Sequence, residues 1–281
     1  MSAGAALALG DAELARLCSF IYQYSGISYG SGKRLYLERR VAQGLERSGK
    51  ASFGEYLALL HANPAEATRL INSITVNETY FYRELHQLQC LGRDMLPEIV
   101  SRRGPGELVR LWSVPCSSGE EPYSIAIWLL ENWPMVDAYN VEIIGSDLHT
   151  GVLADAMEAV YGQRALHRLP PEVVGRYFEP RHGDLRRLIQ DLRESVRFTA
   201  INLVDQASMA AQGRFDVIFC RNVLIYFDDA SRAIAAENMH RALNPGGFLC
   251  LGHTESMSRI SDRFAQRRFE DAIVYQRPLS A

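Results

Sequence analysis

The stretch Glu107–Ile127, E-L-V-R-L-W-S-V-P-C-S-S-G-E-E-P-Y-S-I-A-I, decides how the rest of the chain is read. Leu108, Val109, Leu111, Trp112 and Val114 form a short apolar run that predicts a buried strand. Cys116-Ser117-Ser118-Gly119 is a tight turn of small residues, with a helix expected behind it. Ser118 is a suitable N-cap, Glu121 stands three residues on, and Pro122 is tolerated in a first turn. Strand, glycine turn and helix N-terminus together make the ligand cradle of open parallel sheets. The glycine allows close backbone approach, and the helix end offers free N–H groups.

Two carboxylates, Glu120 and Glu121, stand in this turn, which has one glycine and is not G-x-G-x-x-G. They would repel a pyrophosphate, so a dinucleotide is disfavoured. A phosphate-free ligand with a cationic amine suits them, and S-adenosyl-L-methionine (SAM) is such a ligand. The plainer alternative is that Glu121 only completes a capping box.

A chain of 281 residues suggests one large or two modest domains and is long enough to bury a core. Its 47% hydrophobic and 22% charged residues are ordinary for a soluble protein, and a net charge of −3 argues against a general nucleic-acid binder. The five cysteines include no C-x-x-C pair, which fits reduced thiols rather than a disulfide framework or a metal site. The N-terminal residues lack the basic region of a signal peptide, and no apolar run reaches the ~18 residues of a membrane span. A cytoplasmic protein without membrane insertion is expected.

Residues 1–76 read as a helical domain. Inward faces are expected at Leu14, Leu17, Cys18 and Ile21; at Leu37, Val41 and Leu45; at Phe53, Tyr56, Leu57 and Leu60; and at Ala67, Leu70, Ile71 and Ile74. Ser52 and Asn63 are the expected caps of the last two helices. The second helix region carries Lys33, Arg34, Arg39, Arg40, Arg47 and Lys50 against Glu38 and Glu46. It is either a solvated face or a docking surface for an acidic partner.

In T-V-N-E-T-Y-F-Y-R-E, residues 75–84, three adjacent aromatics interleave with Asn77, Glu78, Thr79, Arg83 and Glu84. The aromatics anchor the segment and leave the polar groups to face a ligand. A helix to about Arg103 follows, with a break expected near Gly92.

Residues 77–281 read as the second domain, in which helix–strand alternation across about 107–276 predicts an open, mostly parallel α/β sheet. Val141–Asp147 reads as a buried strand ending in an acid, a place that commonly holds ribose hydroxyls; Thr150 is the expected cap of the next helix. Residues about 162–200 break this alternation; Arg181–Arg197 is dense in arginine, and a small inserted subdomain, part hairpin, is expected there. Phe215–Cys220 is a fully apolar strand leading into Arg221-Asn222, and Asp229 is the expected cap of a helix to Leu243. Asn244-Pro245-Gly246-Gly247 reads as a turn, and the last strands allow an antiparallel edge. Ser118, Gly119, Glu121, Asp147, Asn202, Leu203, Arg221, Asn222 and His253 thereby gather at the carboxyl edge of the sheet.

N-E-T-Y-F-Y-R-E, C-S-S-G-E-E-P-Y-S-I-A, G-S-D-L, F-D-V-I-F-C-R-N-V-L-I-Y-F and G-H-T-E-S, in this order, resemble the chemotaxis receptor methyltransferase family, CheR. The resemblance covers nearly the whole chain. It implies a Rossmann-like class I SAM-dependent methyltransferase domain behind an all-helical domain, and methyl transfer to glutamates of methyl-accepting chemoreceptors. Carried over by position, SAM contacts fall on Asn77, Thr79, Arg83, Glu121, Asp147, Asn202, Leu203, Arg221 and Asn222. Asp147 would hold the ribose, Glu121 would face the methionyl amine, and Asn202 and Leu203 would border the adenine. Arg83 and Tyr226 are the candidates for orienting the substrate carboxylate, with the methionyl carboxylate as the other partner open to Arg83. The product would be S-adenosyl-L-homocysteine (SAH). Acidic receptor helices would meet the basic helix. The resemblance places the family's small inserted β-subdomain at about 172–200, which in some family members docks a C-terminal receptor tail. A non-catalytic SAM- or SAH-binding regulatory module is the alternative from another class.

Overall fold

The computed structural model describes residues 8–75 and 77–279. The chain forms two compact units, one of Met1–Val76 with Tyr226–Ser231, the other of Asn77–Ile225 with Arg232–Ala281.

The first unit is built on four helices, Asp11–Ser25, Arg34–Ser48, Phe53–Ala62 and Pro64–Ile74. Leu14, Leu17, Ile21, Leu37, Val41, Tyr56, Leu60, Leu70 and Ile71 are buried, as their spacing predicts. Cys18 and Leu45, expected inward, are only partly buried; Phe20 and Gly44 take the inward places. Gly44 sits against Tyr56, whose hydroxyl would lie 2.1 Å from any added Cβ. Ser52 accepts from the Glu55 amide, and Asn63 from the amides of Ala65 and Glu66, so both expected caps form.

Glu66 is buried and accepts from the Tyr56 hydroxyl at 3.0 Å, from Arg69 at 3.1 Å and from Arg47 at 2.5 Å. Burial pushes this carboxyl up, but Arg47, Arg69 and Tyr56 outweigh it and hold it below its ordinary value. Arg47 is thus committed internally, and Arg34 pairs with Asp11. Lys33, Arg39 and Lys50 stay exposed. The 226–231 segment joins this unit through an isolated antiparallel bridge between Ile27 and Phe227 and the Ser28 amide donating to the Tyr226 carbonyl at 3.0 Å.

The second unit carries the strands. In chain order they are Leu108–Ser113 (β1), Asn140–Asp147 (β2), Val160–Tyr161 (β3), Phe178–Pro180 (β4), Arg186–Leu188 (β5), Val196–Ala200 (β6), Phe215–Cys220 (β7), Leu243–Leu251 (β8), Ala265–Arg268 (β9) and Ile273–Gln276 (β10). A seven-stranded sheet runs β6-β2-β1-β7-β8-β10-β9. Its first five strands are parallel, and β10 and β9 close it as an antiparallel edge. All six residues of β7 are buried, so both faces of the sheet centre are covered. Trp112 stacks on Phe215 at 4.4 Å and donates to the Ser146 hydroxyl at 2.9 Å, which locks β1, β2 and β7 together. Among the described residues no helix is long and apolar enough to cross a membrane.

Several local expectations are corrected. The helix behind β1 is Glu120–Asn132, and its N-cap is Gly119 rather than Ser118. His149 replaces Thr150 as cap of the helix Thr150–Glu158, its ring nitrogen accepting from the Val152 amide. Asp228, one residue before the expected Asp229, accepts from the Ser231 amide at 2.8 Å. The small sheet is ordered β3-β5-β4, so it starts earlier than residue 172, while β6 at the end of that range belongs to the main sheet. Asn244–Gly247 lies within β8 as a bulge, because β8 pairs with β7 on both sides of it. Near Gly92 the helical run does not break but widens into a π-turn over Leu91–Met95, where an added Cβ at Gly92 would lie 2.4 Å from the Trp128 ring.

Candidate functional site

β1 delivers the chain through Val114 and Cys116 into a turn in which Ser117 and Gly119 both have positive φ, 49° and 92°. Gly119 is required twice over. Its φ lies in the left-handed region, and an added Cβ would meet Ala156, Tyr123 and Tyr161 at 3.0–3.1 Å. The turn is held from β2: Asp147 accepts from the Ser117 amide at 2.9 Å and from the His149 amide at 2.8 Å. Asp147 is buried, and burial pushes its carboxyl above the ordinary value against the pull of those two N–H groups. Among the described residues the Ser117 hydroxyl is buried with no hydrogen-bond partner, a polar atom left for a ligand in the cradle.

The two glutamates of the turn have different fates. Glu120 is 4% exposed, and its side chain takes a hydrogen bond from Ser118 at 2.8 Å. Burial raises its carboxyl above the ordinary range. Glu121 does not complete a capping box. It accepts from Ser113 at 2.7 Å and from Arg221 Nε at 2.5 Å, two residues at the ends of β1 and β7.

Arg221 is the hinge of the site. Its Nη1 donates to the Arg83 carbonyl at 2.8 Å and lies 3.7 Å from Glu84. Burial disfavours its charge, but Glu121 and Glu84 overcome this and hold the guanidinium more firmly protonated than usual. Arg221 therefore ties the 77–84 segment to the strand ends. That segment is anchored by Phe81, fully buried and edge-on to Tyr161 at 4.8 Å and Phe178 at 5.3 Å. Beside it the Tyr82 amide donates to Ser124 at 3.0 Å. Arg83 itself is half-buried, with Nη1 on the Glu78 carbonyl at 2.8 Å and its guanidinium 5.8 Å from the Tyr80 ring. Asn77 and Thr79 line a cavity of about 630 Å³ with Ser118, Glu120, Tyr161 and Arg164.

The remaining strand ends close the edge. Asn202 accepts from the Val204 amide at 3.2 Å, and the Leu203 carbonyl accepts from Asn238 at 2.9 Å, which pins the turn after β6. Asn222 follows β7 with a positive φ of 60°. Its amide and those of Val223, Leu224 and Gly252 all donate to Glu255. His253 rests on Glu84 at 3.1 Å. Of the expected residues, Glu121, Arg221 and the backbone of Arg83 are joined directly, and Asp147 joins the turn that carries Glu121. Tyr226, 38% exposed, is carried in the other compact unit. Ser113 and Glu255 carry no expectation from sequence reasoning. The only signal for Glu255 is an acid just beyond a strand-end glycine, in G-H-T-E-S.

The SAM-binding domain of CheR methyltransferases matches residues 77–273, and the all-alpha domain of the same family matches residues 12–75. The chain belongs to the CheR methyltransferase family. Chemotaxis protein methyltransferase 2 of Vibrio cholerae is 45% identical over 97% of this chain and 95% of its own length. The chemotaxis protein methyltransferases of Salmonella typhimurium and Escherichia coli are 38% and 37% identical, each over 93% of this chain and 89% and 90% of theirs. Among solved structures, the N-methyltransferase NodS of Bradyrhizobium japonicum in complex with SAH aligns with a TM-score of 0.38 at 14% identity, over 74% of this chain and 92% of that one. This CheR-family chain is a SAM-dependent methyltransferase, and its mostly parallel sheet is Rossmann-like. The cradle fits that donor: Glu121 in the first helical turn behind β1 and Asp147 at the end of β2 supply carboxylates, and the Ser117 hydroxyl is buried without a hydrogen-bond partner among the described residues.

Proposed function

We propose that this chain transfers the methyl group of SAM to glutamate side chains on cytoplasmic segments of chemoreceptors, giving glutamyl methyl esters and SAH. The observation that carries the reading is the chemistry of the sheet's carboxyl edge. Glu121 and Asp147, with no phosphate loop beside them, occupy the cradle, and Arg221 is held among carboxylates instead of being left for a phosphate.

SAM supplies an electrophilic methyl carbon and a sulfonium that leaves as a neutral thioether. The acceptor needs little activation, because an unperturbed glutamate titrates at about 4.3 and is ionised at neutral pH. No general base is required of the chain. Its residues bind, align and exclude water. Asp147 accepts from the ribose hydroxyls, Glu121 faces the methionyl amine, and Asn202 and Leu203 border the adenine. Asn77, Thr79, Arg221 and Asn222 complete the donor site. Arg83 and Tyr226 orient the substrate carboxylate by hydrogen bonds; the methionyl carboxylate is the other partner open to Arg83. Residues 1–76 form the helical domain, whose basic second helix meets acidic receptor segments, and residues 77–281 the transferase, with the β3-β5-β4 subdomain as the place for a receptor tail peptide. Nothing in the site favours a non-catalytic SAM-binding module.

Calorimetry with SAM, SAH and NAD tests the donor site. SAM and SAH should bind and NAD should not; tight NAD binding would contradict the reading. Arg83→Ala should lower SAM affinity or methyl transfer, and near-normal values of both would remove Arg83 from the site.

A further inference from the structure

We infer that Glu255 is a positioning residue of the donor site, acting through the backbone that carries Asn222. Its Oε2 accepts from the amides of Asn222 at 2.7 Å and Gly252 at 2.9 Å, and its Oε1 from those of Val223 at 2.9 Å and Leu224 at 2.8 Å. An ionised carboxylate has about four acceptor sites and no donor, so this group is filled by backbone alone. Three of the four donors are consecutive and belong to no strand, and Asn222 is held at a left-handed φ of 60°. β7 and β8 are parallel neighbours, so one side chain fastens the carboxyl ends of both. The fit leaves no spare room. A Cβ at Gly252 would lie 2.7 Å from Asn222 Nδ2 and 2.9 Å from Glu255 Oε2. Arg221 has its own restraints in Glu121 and the Arg83 carbonyl, so Glu255 sets the direction of Asn222 rather than the Arg221 clamp.

A neutral amide cannot replace this carboxylate. Glutamine would turn an NH2 group toward two amides that are themselves donors, leaving at least one of them unsatisfied. The turn would then relax from the left-handed region, and Asn222 would leave the donor.

The inference rests on the placing of Asn222 among the SAM contacts, and its test separates the two. Glu255→Gln, Glu255→Asp and Asn222→Ala are compared with the unaltered chain by SAH calorimetry and by methyl transfer to a receptor fragment. For E255Q, the Kd for SAH and the KM for SAM should rise about tenfold, with the receptor KM within about twofold, and E255D should recover part of the loss. A general structural defect would instead raise both KM values together, and that result overturns the inference. So does weakened SAH binding in N222A but not in folded E255Q. Unchanged SAH affinity in N222A removes the donor-site reading of Asn222 and the inference with it. If E255Q does not fold, hydrogen exchange on the unaltered chain decides. The amides of Asn222, Val223 and Leu224 should exchange slowly before any ligand is added, and fast exchange there overturns the inference.

Discussion

Arg221 donates from Nε to Glu121 at 2.5 Å with only 5% and 11% of the two side chains exposed, joining residues 100 positions apart in the chain. The contact turns a first-turn glutamate of a helix into part of a site. Breaking a buried pair costs about 3–5 kcal/mol, and Glu84, 3.7 Å from Arg221, keeps the loss here at the low end, about 3 kcal/mol. Glu121→Gln should therefore lower both the unfolding free energy by about that amount and the affinity for SAH by at least about tenfold. Denaturant unfolding and calorimetry check the two effects, and a variant with unchanged SAH affinity would return Glu121 to a purely local role.

Glu120 should behave in the opposite way. Burial raises its carboxyl, so the folded chain holds this proton more tightly than the unfolded chain does. Its contribution to stability is present below the ordinary glutamate range and is lost as pH rises through the raised value. Glu120→Gln cannot ionise. It should match the parent at about pH 4 and exceed it in thermal stability at about pH 8. Thermal unfolding at the two pH values checks this; a variant less stable at the higher pH would contradict it.

Glu66 carries the reverse sign in the helical unit. Arg47, Arg69 and Tyr56 hold it below its ordinary value, so its contribution is present above the unfolded range and is lost as pH falls through the lowered value. Glu66→Gln should cost about 1–3 kcal/mol at neutral pH, and the difference from the parent should shrink as the solution is acidified. Chemical unfolding across that range is the measurement.

Lys33, Arg39 and Lys50 remain exposed after Arg34 and Arg47 are committed to Asp11 and Glu66. If acidic receptor helices dock on this face, Arg39→Glu should raise the receptor KM and flatten its salt dependence, with SAH affinity unchanged. Steady-state kinetics at two ionic strengths would show it. Equal salt dependence in parent and variant would count against docking there.

The strand, turn and helix around Gly119 were legible because apolar periodicity and turn chemistry act over a few residues. Asp147 and Arg221-Asn222 were legible as polar residues ending apolar strands. The identity of the cap was not, because the left-handed Gly119 closes the turn where Ser118 had the better side chain. Nor was the role of Glu255: its partners are four backbone amides, and backbone donors have no signature in a sequence. β3 has two residues, too few for any alternation to show, so the start of the small sheet has no signature in the sequence. The bulge in β8 looked like a turn because Asn-Pro-Gly-Gly has turn composition; pairing with β7 on both sides overrides it.

The most direct test of the account is methyl transfer itself. The chain is incubated with SAM tritiated in the methyl group and a cytoplasmic chemoreceptor fragment, and the labelled fragment is then treated with alkali. Glutamyl methyl esters should release the label as volatile methanol, and a fragment with its acceptor glutamates changed to alanine should take up none. Label that resists alkali, or no transfer by a chain that binds SAM, would contradict the account.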